Sequence, residues 1–323
     1  MSKLEVYFNE YNILMDKTIY FPLVSGSLQA YAQTNKKIKE NYKFMPFLFF
    51  RTDPEKITSF YKNPKVVAFS ISIWNTNLSL KIEKKIKKKF PKSLIVFGGP
   101  QAPFDASAFF SQYPFIDITV RGEGEKPFQK ILLRLLENRD FKDIPGISYR
   151  NKSGQYIKNN QETHLEKDLD IFPSPYTNVI FNEIKCFYPD IKFQAIIETN
   201  RGCPYLCAYC SWGQGGLSKQ FRFFSLKRIK QVADWCGDNK IEYVFCADSN
   251  FGIFKRDLEI AKFFIKSKIK HHGYPEKFRV CYAKNAQETV FKIGKLLHSH
   301  DMEKGISLSR QSNNPKTLVN IGR

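Results

Sequence analysis

Through its first 150 residues the chain alternates short apolar runs with amphipathic stretches. Runs rich in Val, Ile and Phe at Leu4–Phe8, Phe44–Phe50, Val66–Ile71, Leu94–Phe97 and Ile116–Val120 predict strands. Helix-like patterns lie between them at Leu23–Thr34, Pro54–Tyr61, Leu78–Phe90, Ala106–Gln112 and Lys126–Leu136. Alternation at this spacing predicts an α/β domain over residues 1–150, a doubly wound parallel sheet with helices on both faces. Residues 151–190 are less regular, with a turn at Asn151–Gly154 and the break Pro173-Ser174-Pro175, and read as a linker with a short hairpin. Strands are then expected at Phe193–Thr199, Ile241–Ala247, Phe278–Tyr282 and Gly305–Ser309, and helices at Leu226–Asn239, Arg256–Ile269 and Glu288–Ser299. They predict a partial (βα) barrel of four units over residues 191–323, with chemistry on the loops that follow the strands.

Composition places the chain among globular proteins, with 42% apolar and 15% aromatic residues in 323, enough for two cores. It has no apolar run near the roughly 20 residues of a membrane span and no signal-peptide pattern, so the cytosol is the simplest location and no membrane partner is expected. The formal charge of +20 raises nucleic acid as a partner. Residues 1–150 hold 24 Lys/Arg against 14 Asp/Glu, and the remainder 27 against 17, so no single basic arm stands out. The densest run, Lys81–Lys92, has Leu78, Ile82, Ile86 and Phe90 four apart, which predicts a helix with one buried stripe and a solvated lysine face.

In a parallel sheet ligands sit beyond the C-terminal ends of the strands. There the chain places Ser70, Ser72, Trp74 and Asn75, then Gly98-Gly99-Pro100, then Arg121-Gly122-Glu123-Gly124-Glu125. Glycine there allows close approach to a ligand, although it also ends many strands for structural reasons. Seven cysteines are present and none precedes Cys186, so no disulfide framework is expected. Cys203, Cys207 and Cys210 follow one predicted strand in a single loop. Three thiolates so spaced suit three irons of a cubane, with the fourth left open for a ligand. A structural zinc site completed by Cys186, Cys236 or a histidine is the alternative, but no second CxxC pair exists. Cys246 and Cys281 fall within predicted strands and read as core residues.

The CxxxCxxC loop, with Tyr209 before its last cysteine, is similar to that of the radical S-adenosylmethionine (SAM) superfamily. The resemblance implies a 4Fe–4S cluster on the three thiolates and SAM on the fourth iron, with Tyr209 against the adenine. The later loops resemble the family's SAM contacts: Asp248-Ser249-Asn250-Phe251-Gly252 after the second strand, Lys284-Asn285 after the third, Gln311-Ser312 after the fourth. Asp248 and Asn250 stand where many members carry Gly-Gly-Glu. Upstream, Phe21-Pro22-Leu23 with Gly26, the loop bearing Ser70, Trp74 and Asn75, Gly98 with Gly99, and Gly122, Glu123 and Gly124 resemble, in order, the Rossmann-like cobalamin-binding domains of one radical SAM subfamily. No Asp-x-His-x-x-Gly motif occurs and the first histidine is His164, so this domain is expected to bind cobalamin without an imidazole on cobalt.

That resemblance implies a cobalamin-dependent methyltransferase, or another radical enzyme, acting on a small biosynthetic intermediate. It also implies an electron donor such as flavodoxin or ferredoxin. A methylthiotransferase acting on RNA or protein would need three further cysteines in the first domain. A basic RNA-binding protein with a structural metal site is the non-enzymatic rival. Four βα units where such barrels have six lead to the expectation of a fragment, or of a barrel completed by a second polypeptide.

Overall fold

A computed structural model describes residues 2–159, 165–210, 219–284, 288–303 and 305–322. Packing divides the chain into two units, Met1–Leu165 with Phe172–Tyr188, and Glu166–Ile171 with Pro189–Arg323. The first contains, in order, β1 (Leu4–Asn12), β2 (Thr18–Tyr20), α1 (Leu23–Ala32), α2 (Lys36–Asn41), β3 (Tyr42–Phe44), β4 (Leu48–Phe50), α3 (Pro54–Ser59) and β5 (Pro64–Ser70). It continues through α4 (Thr76–Lys89), β6 (Leu94–Gly98), α5 (Ser107–Gln112), β7 (Ile118–Val120), α6 (Glu125–Leu136), β8 (Ile147–Arg150), β9 (Tyr156–Lys158) and α7 (Ile180–Phe187).

The sheet runs β3-β1-β5-β6-β7-β8-β9, with β4 also on β1; β1 and β3 to β7 are parallel, and β8 and β9 antiparallel. Strands β5 and β6 are almost wholly apolar because helices cover both faces. On one face Tyr7, Val67, Phe69, Ile95 and Phe97 pack with Ile57 of α3, Ile82 and Ile86 of α4, and Phe110 of α5. On the other, the Phe8 ring lies 5.2 Å from Phe128 of α6, which packs on α1. Burying each of Ile82 and Ile86 contributes roughly 1.5–3 kcal/mol.

Two expectations change here. The run Phe44–Phe50 is two short strands, because Pro46 has no N–H for a ladder. Met45 N instead bonds Val6 O at 2.9 Å and closes β3. The hairpin read as linker is part of the first sheet: Asn151 Oδ1 accepts from Ser153 N and Gln155 N at 3.0 and 2.9 Å, turning β8 into β9.

On α4 the lysines at 81, 84, 85, 88 and 89 are exposed, as a solvated face requires. Its buried stripe, however, includes Glu83, 1% exposed, whose Oε1 has no partner among the described residues. Burial, then repulsion from Asp117, pushes its carboxyl up to about 8. That value lies above the unfolded one, so the stability it contributes is complete below pH 4.5 and is lost as pH rises through about 8. Glu83→Gln is expected to raise the thermal midpoint by several degrees at about pH 9 and to leave it nearly unchanged at about pH 4. Matching wild-type and variant melting curves at the higher pH would refute this.

The second unit contains β10 (Lys192–Ile197), β11 (Asn200–Arg201), β12 (Arg222–Phe223), α8 (Leu226–Asp238), β13 (Tyr243–Phe251), α9 (Lys255–Lys270), β14 (Lys277–Tyr282), α10 (Glu288–Ser299) and α11 (Pro315–Asn320). Strands β10, β13 and β14 are parallel neighbours in that order, each joined to the next through a helix, as βα units require. Ser225 caps α8 by accepting from Arg228 N at 3.2 Å. The expected strand Gly305–Ser309 is not formed: Ile306 packs on Gly294 of α10 while its neighbours are exposed, so no alternating buried face exists. Cys246 is core, but Cys281 is exposed, because the alternation of β14 turns Phe278, Val280 and Tyr282 inward. Among the described residues, no helix is long and apolar enough to cross a membrane.

Candidate functional site

Strand β10 delivers the chain to Thr199-Asn200-Arg201-Gly202, and the three cysteines follow. The antiparallel pair β11–β12, with Asn200 opposite Phe223 and Arg201 opposite Arg222, closes the base of this loop. Arg201 is held by Glu198 through Nε and Nη2 at 3.1 and 3.0 Å. Gly202 has φ +125°, and a Cβ there would collide with the Gln220 carbonyl and lie 3.2 Å from Phe221 Cα. Only glycine fits. Cys203 and Cys207 are buried and Cys210 is half-buried, with Cys210 N bonded to Cys207 O at 3.0 Å.

Two elements aim donors at these sulfurs. Asn250, at the end of β13, places Nδ2 3.3 Å from Cys203 Sγ and 3.0 Å from Ser249 Oγ. Lys284, just beyond β14, places Nζ 3.5 Å from Cys207 Sγ, 5.8 Å from the Tyr205 ring and 5.9 Å from the Tyr209 ring. Ser249 Oγ donates to Gly202 O at 2.8 Å. Three thiols in one loop, with side-chain donors against two of them, are a soft donor set of the kind an iron–sulfur cluster takes.

Asp248 serves a different purpose from Asn250. It is buried, accepts from Thr199 N at 2.7 Å and Asn200 Nδ2 at 2.8 Å, and also accepts from the Thr199 hydroxyl. Burial pushes its carboxyl up to about 7. These bonds clip the end of β13 to the start of the cysteine loop. Tyr209 is half-exposed. Gln311 and Ser312 do not follow a strand: Gln311 is exposed with φ +72°, and Ser312 Oγ accepts from Asn314 N at 3.1 Å, leading into α11. Asn285 lies outside the described residues. Gly202 and Thr199 were not singled out as site residues, and Ser249 entered only as part of the loop after the second strand; the glycine directly before the first cysteine was the available signal.

In the first unit the ends of β5, β6 and β7 share one edge, since these strands are parallel. Asn75 is fully engaged there: Oδ1 accepts from Ser72 N at 2.8 Å, and Nδ2 donates to Tyr11 O and Ser70 O at 3.2 and 3.0 Å. It shapes the loop that presents Ile73 and Trp74, 80% and 50% exposed. Gly99, at φ +102°, lies where a Cβ would come within 2.7 Å of Ile71 O, whereas Gly122 faces open space and Gly98 meets only Val120. Gly124 leads into α6, beside Leu28, and Glu123 precedes it half-buried. Bare backbone flanked by exposed apolar side chains suits a large flat ligand such as a corrin.

A Rossmann-like domain followed by parallel βα units with a cysteine loop after the first strand defines the class. Residues 48–132 match the B12 binding domain family, which covers the strand ends just described. Over its whole length the chain is 34% identical to a 2-(S-pantetheinyl)-carbapenam-3-carboxylate methyltransferase of Streptantibioticus cattleyicolor, covering 46% of that protein. It is also 34% identical, over 99% of its length, to the cobalamin-dependent radical SAM methyltransferase TokK of Streptomyces tokunonensis, again covering 46%. The fold matches the cobalamin-dependent SAM radical enzyme OxsB, solved with aqua-cobalamin and SAM, at a TM-score of 0.71 and 19% identity; the match covers 99% of this chain and 45% of that one. Residues 48–132 thus resemble a B12 binding domain, and the two relatives matched along the whole chain are named as methyltransferases, one of them a cobalamin-dependent radical SAM enzyme. It spans about half the length of the curated relatives it matches.

Proposed function

We propose that this chain forms the cofactor-binding part of a cobalamin-dependent radical SAM methyltransferase acting on a small biosynthetic intermediate. The observation that carries the reading is the convergence of Asn250 and Lys284 on the sulfurs of Cys203 and Cys207. Cys203, Cys207 and Cys210 would hold the 4Fe–4S cluster. Bound together, cluster, SAM and cobalamin supply one-electron cleavage of SAM and a transferable methyl group.

The chain's own residues then bind and orient. The Oδ1 of Asn250, buried and without a partner among the described residues, would offer an acceptor to the SAM ammonium group. The half-exposed Tyr209 ring offers a face to adenine. Asp248 acts through Thr199 and Asn200, positioning the loop, while Lys284 offers a cation near the sulfurs for the SAM carboxylate. In the first unit the glycine-lined strand ends and Trp74 would carry the corrin. A low-potential flavodoxin or ferredoxin would supply the electron.

Anaerobic reconstitution with iron and sulfide, then mass spectrometry after addition of SAM and a strong reductant, tests this. 5′-Deoxyadenosine or methylated cobalamin is expected; a reconstituted protein that leaves SAM intact would overturn the reading. Residues 1–159 contain no histidine, so titration with cobalamin is expected to give a base-off spectrum. Nitrogen hyperfine splitting on reduced cobalt would contradict that prediction.

A further inference from the structure

The end of β13 and the cysteine loop are joined by a closed ring of hydrogen bonds. Ser249 Oγ donates to Gly202 O at 2.8 Å, Asn250 Nδ2 donates to Ser249 Oγ at 3.0 Å, and the same nitrogen donates to Cys203 Sγ at 3.3 Å. Cys203 is the residue after Gly202, so the ring returns to its starting point. We infer that Ser249 and Asn250 are positioning residues that set the reduction potential of the cluster, Ser249 by fixing which way the Asn250 amide faces. The inference rests on the proposed cluster at Cys203, Cys207 and Cys210.

The orientation follows from proton counting. A serine hydroxyl has one proton, and here the Gly202 carbonyl takes it. Its oxygen can then only accept toward Asn250. A reversed amide would set Oδ1 against that lone pair and against a thiolate, two repulsive contacts in a site where Asn250 is fully buried. The amide N–H is therefore held toward Cys203 Sγ.

When the cluster takes one electron from an external donor, no bond is made or broken, and negative charge grows on the sulfurs. An N–H dipole aimed at sulfur stabilises the reduced state more than the oxidised one and raises the potential. Water is excluded from Asn250, so the dipole is little screened. Lys284 acts in the same sense on a different sulfur, that of Cys207.

The test is an EPR-monitored redox titration of the reconstituted full chain, without SAM, with iron and sulfide measured on each sample. Asn250→Leu keeps the side-chain volume and removes the donor. It is expected to leave about tenfold less reduced cluster at a fixed poise, a shift of about 59 mV to more negative potential for a one-electron couple. Ser249→Ala leaves Asn250 in place but frees its amide to turn, and is expected to shift the potential in the same direction by less. A residue that merely packs the loop would change cluster content without moving the potential. Both variants loading fully with wild-type potentials would overturn the inference. If Asn250→Leu loads poorly, a wild-type potential in fully loaded Ser249→Ala would overturn it alone. A wild-type chain that takes up no cluster would instead overturn the functional reading beneath it.

Discussion

The Cys207→Ala protein is expected to lose nearly all of its reconstituted iron and sulfide and to form no detectable 5′-deoxyadenosine. Cys207 is the most deeply buried of the three thiols, 1% exposed, and receives the Lys284 donor at 3.5 Å. Alanine removes one of the three proposed ligands and leaves Lys284 Nζ without its sulfur acceptor. Loss of an outer-shell partner alone costs roughly 10–100-fold in metal affinity, so loss of a ligand should exceed that. The buried position makes replacement of the thiolate by water difficult, which distinguishes it from half-buried Cys210. Anaerobic iron and sulfide assays, with SAM cleavage followed by mass spectrometry, check the result. Undiminished SAM cleavage by this variant would remove Cys207 from the ligand set.

Gly202→Ala should be nearly as damaging, although it touches no ligand atom. At φ +125° an alanine pays a backbone cost of roughly 1–3 kcal/mol. Its Cβ would also strike the Gln220 carbonyl and crowd Phe221 Cα at 3.2 Å, both backbone atoms that cannot swing aside. The β11–β12 pair must then open or Gly202 must move, and either displaces Cys203 and breaks the Ser249 bond to Gly202 O. Cluster content is expected to fall about tenfold, with a lower thermal midpoint for the second unit. A variant that loads and melts like wild type would show that the loop tolerates the displacement.

The two predictions differ in how far a sequence could foresee them. Three cysteines at fixed spacing after an apolar strand announce soft-metal chemistry wherever the loop lies in space, because the ligands belong to one loop. Strand–helix alternation likewise fixed the class of fold, since buried parallel strands must be apolar on both faces, and β5 and β6 are. Pro46 is an equally legible strand breaker, and the ladder divides there although the run around it is apolar throughout. Cys281 and the stretch Gly305–Ser309 show the limit of apolar composition as a guide. Facing is set by the period of two, and strand formation needs a buried face to pack.

What remained for the tertiary structure was pairing across distance. Asn250 and Cys203 are 47 residues apart, Lys284 and Cys207 are 77 apart, and Asp248 and Thr199 are 49 apart. They meet because β13 lies parallel to β10 with Cys246 opposite Ile197, and continuing that register two residues brings Asp248 to Thr199. β13 alternates strictly over this stretch, so Cys246, Asp248 and Asn250 share its buried face. Periodicity along a chain reports which face of a strand is buried, and that much was present in the sequence. Which strand lies alongside, and in what register, depends on the whole sheet, and so the donors to the sulfurs were decided only by the fold.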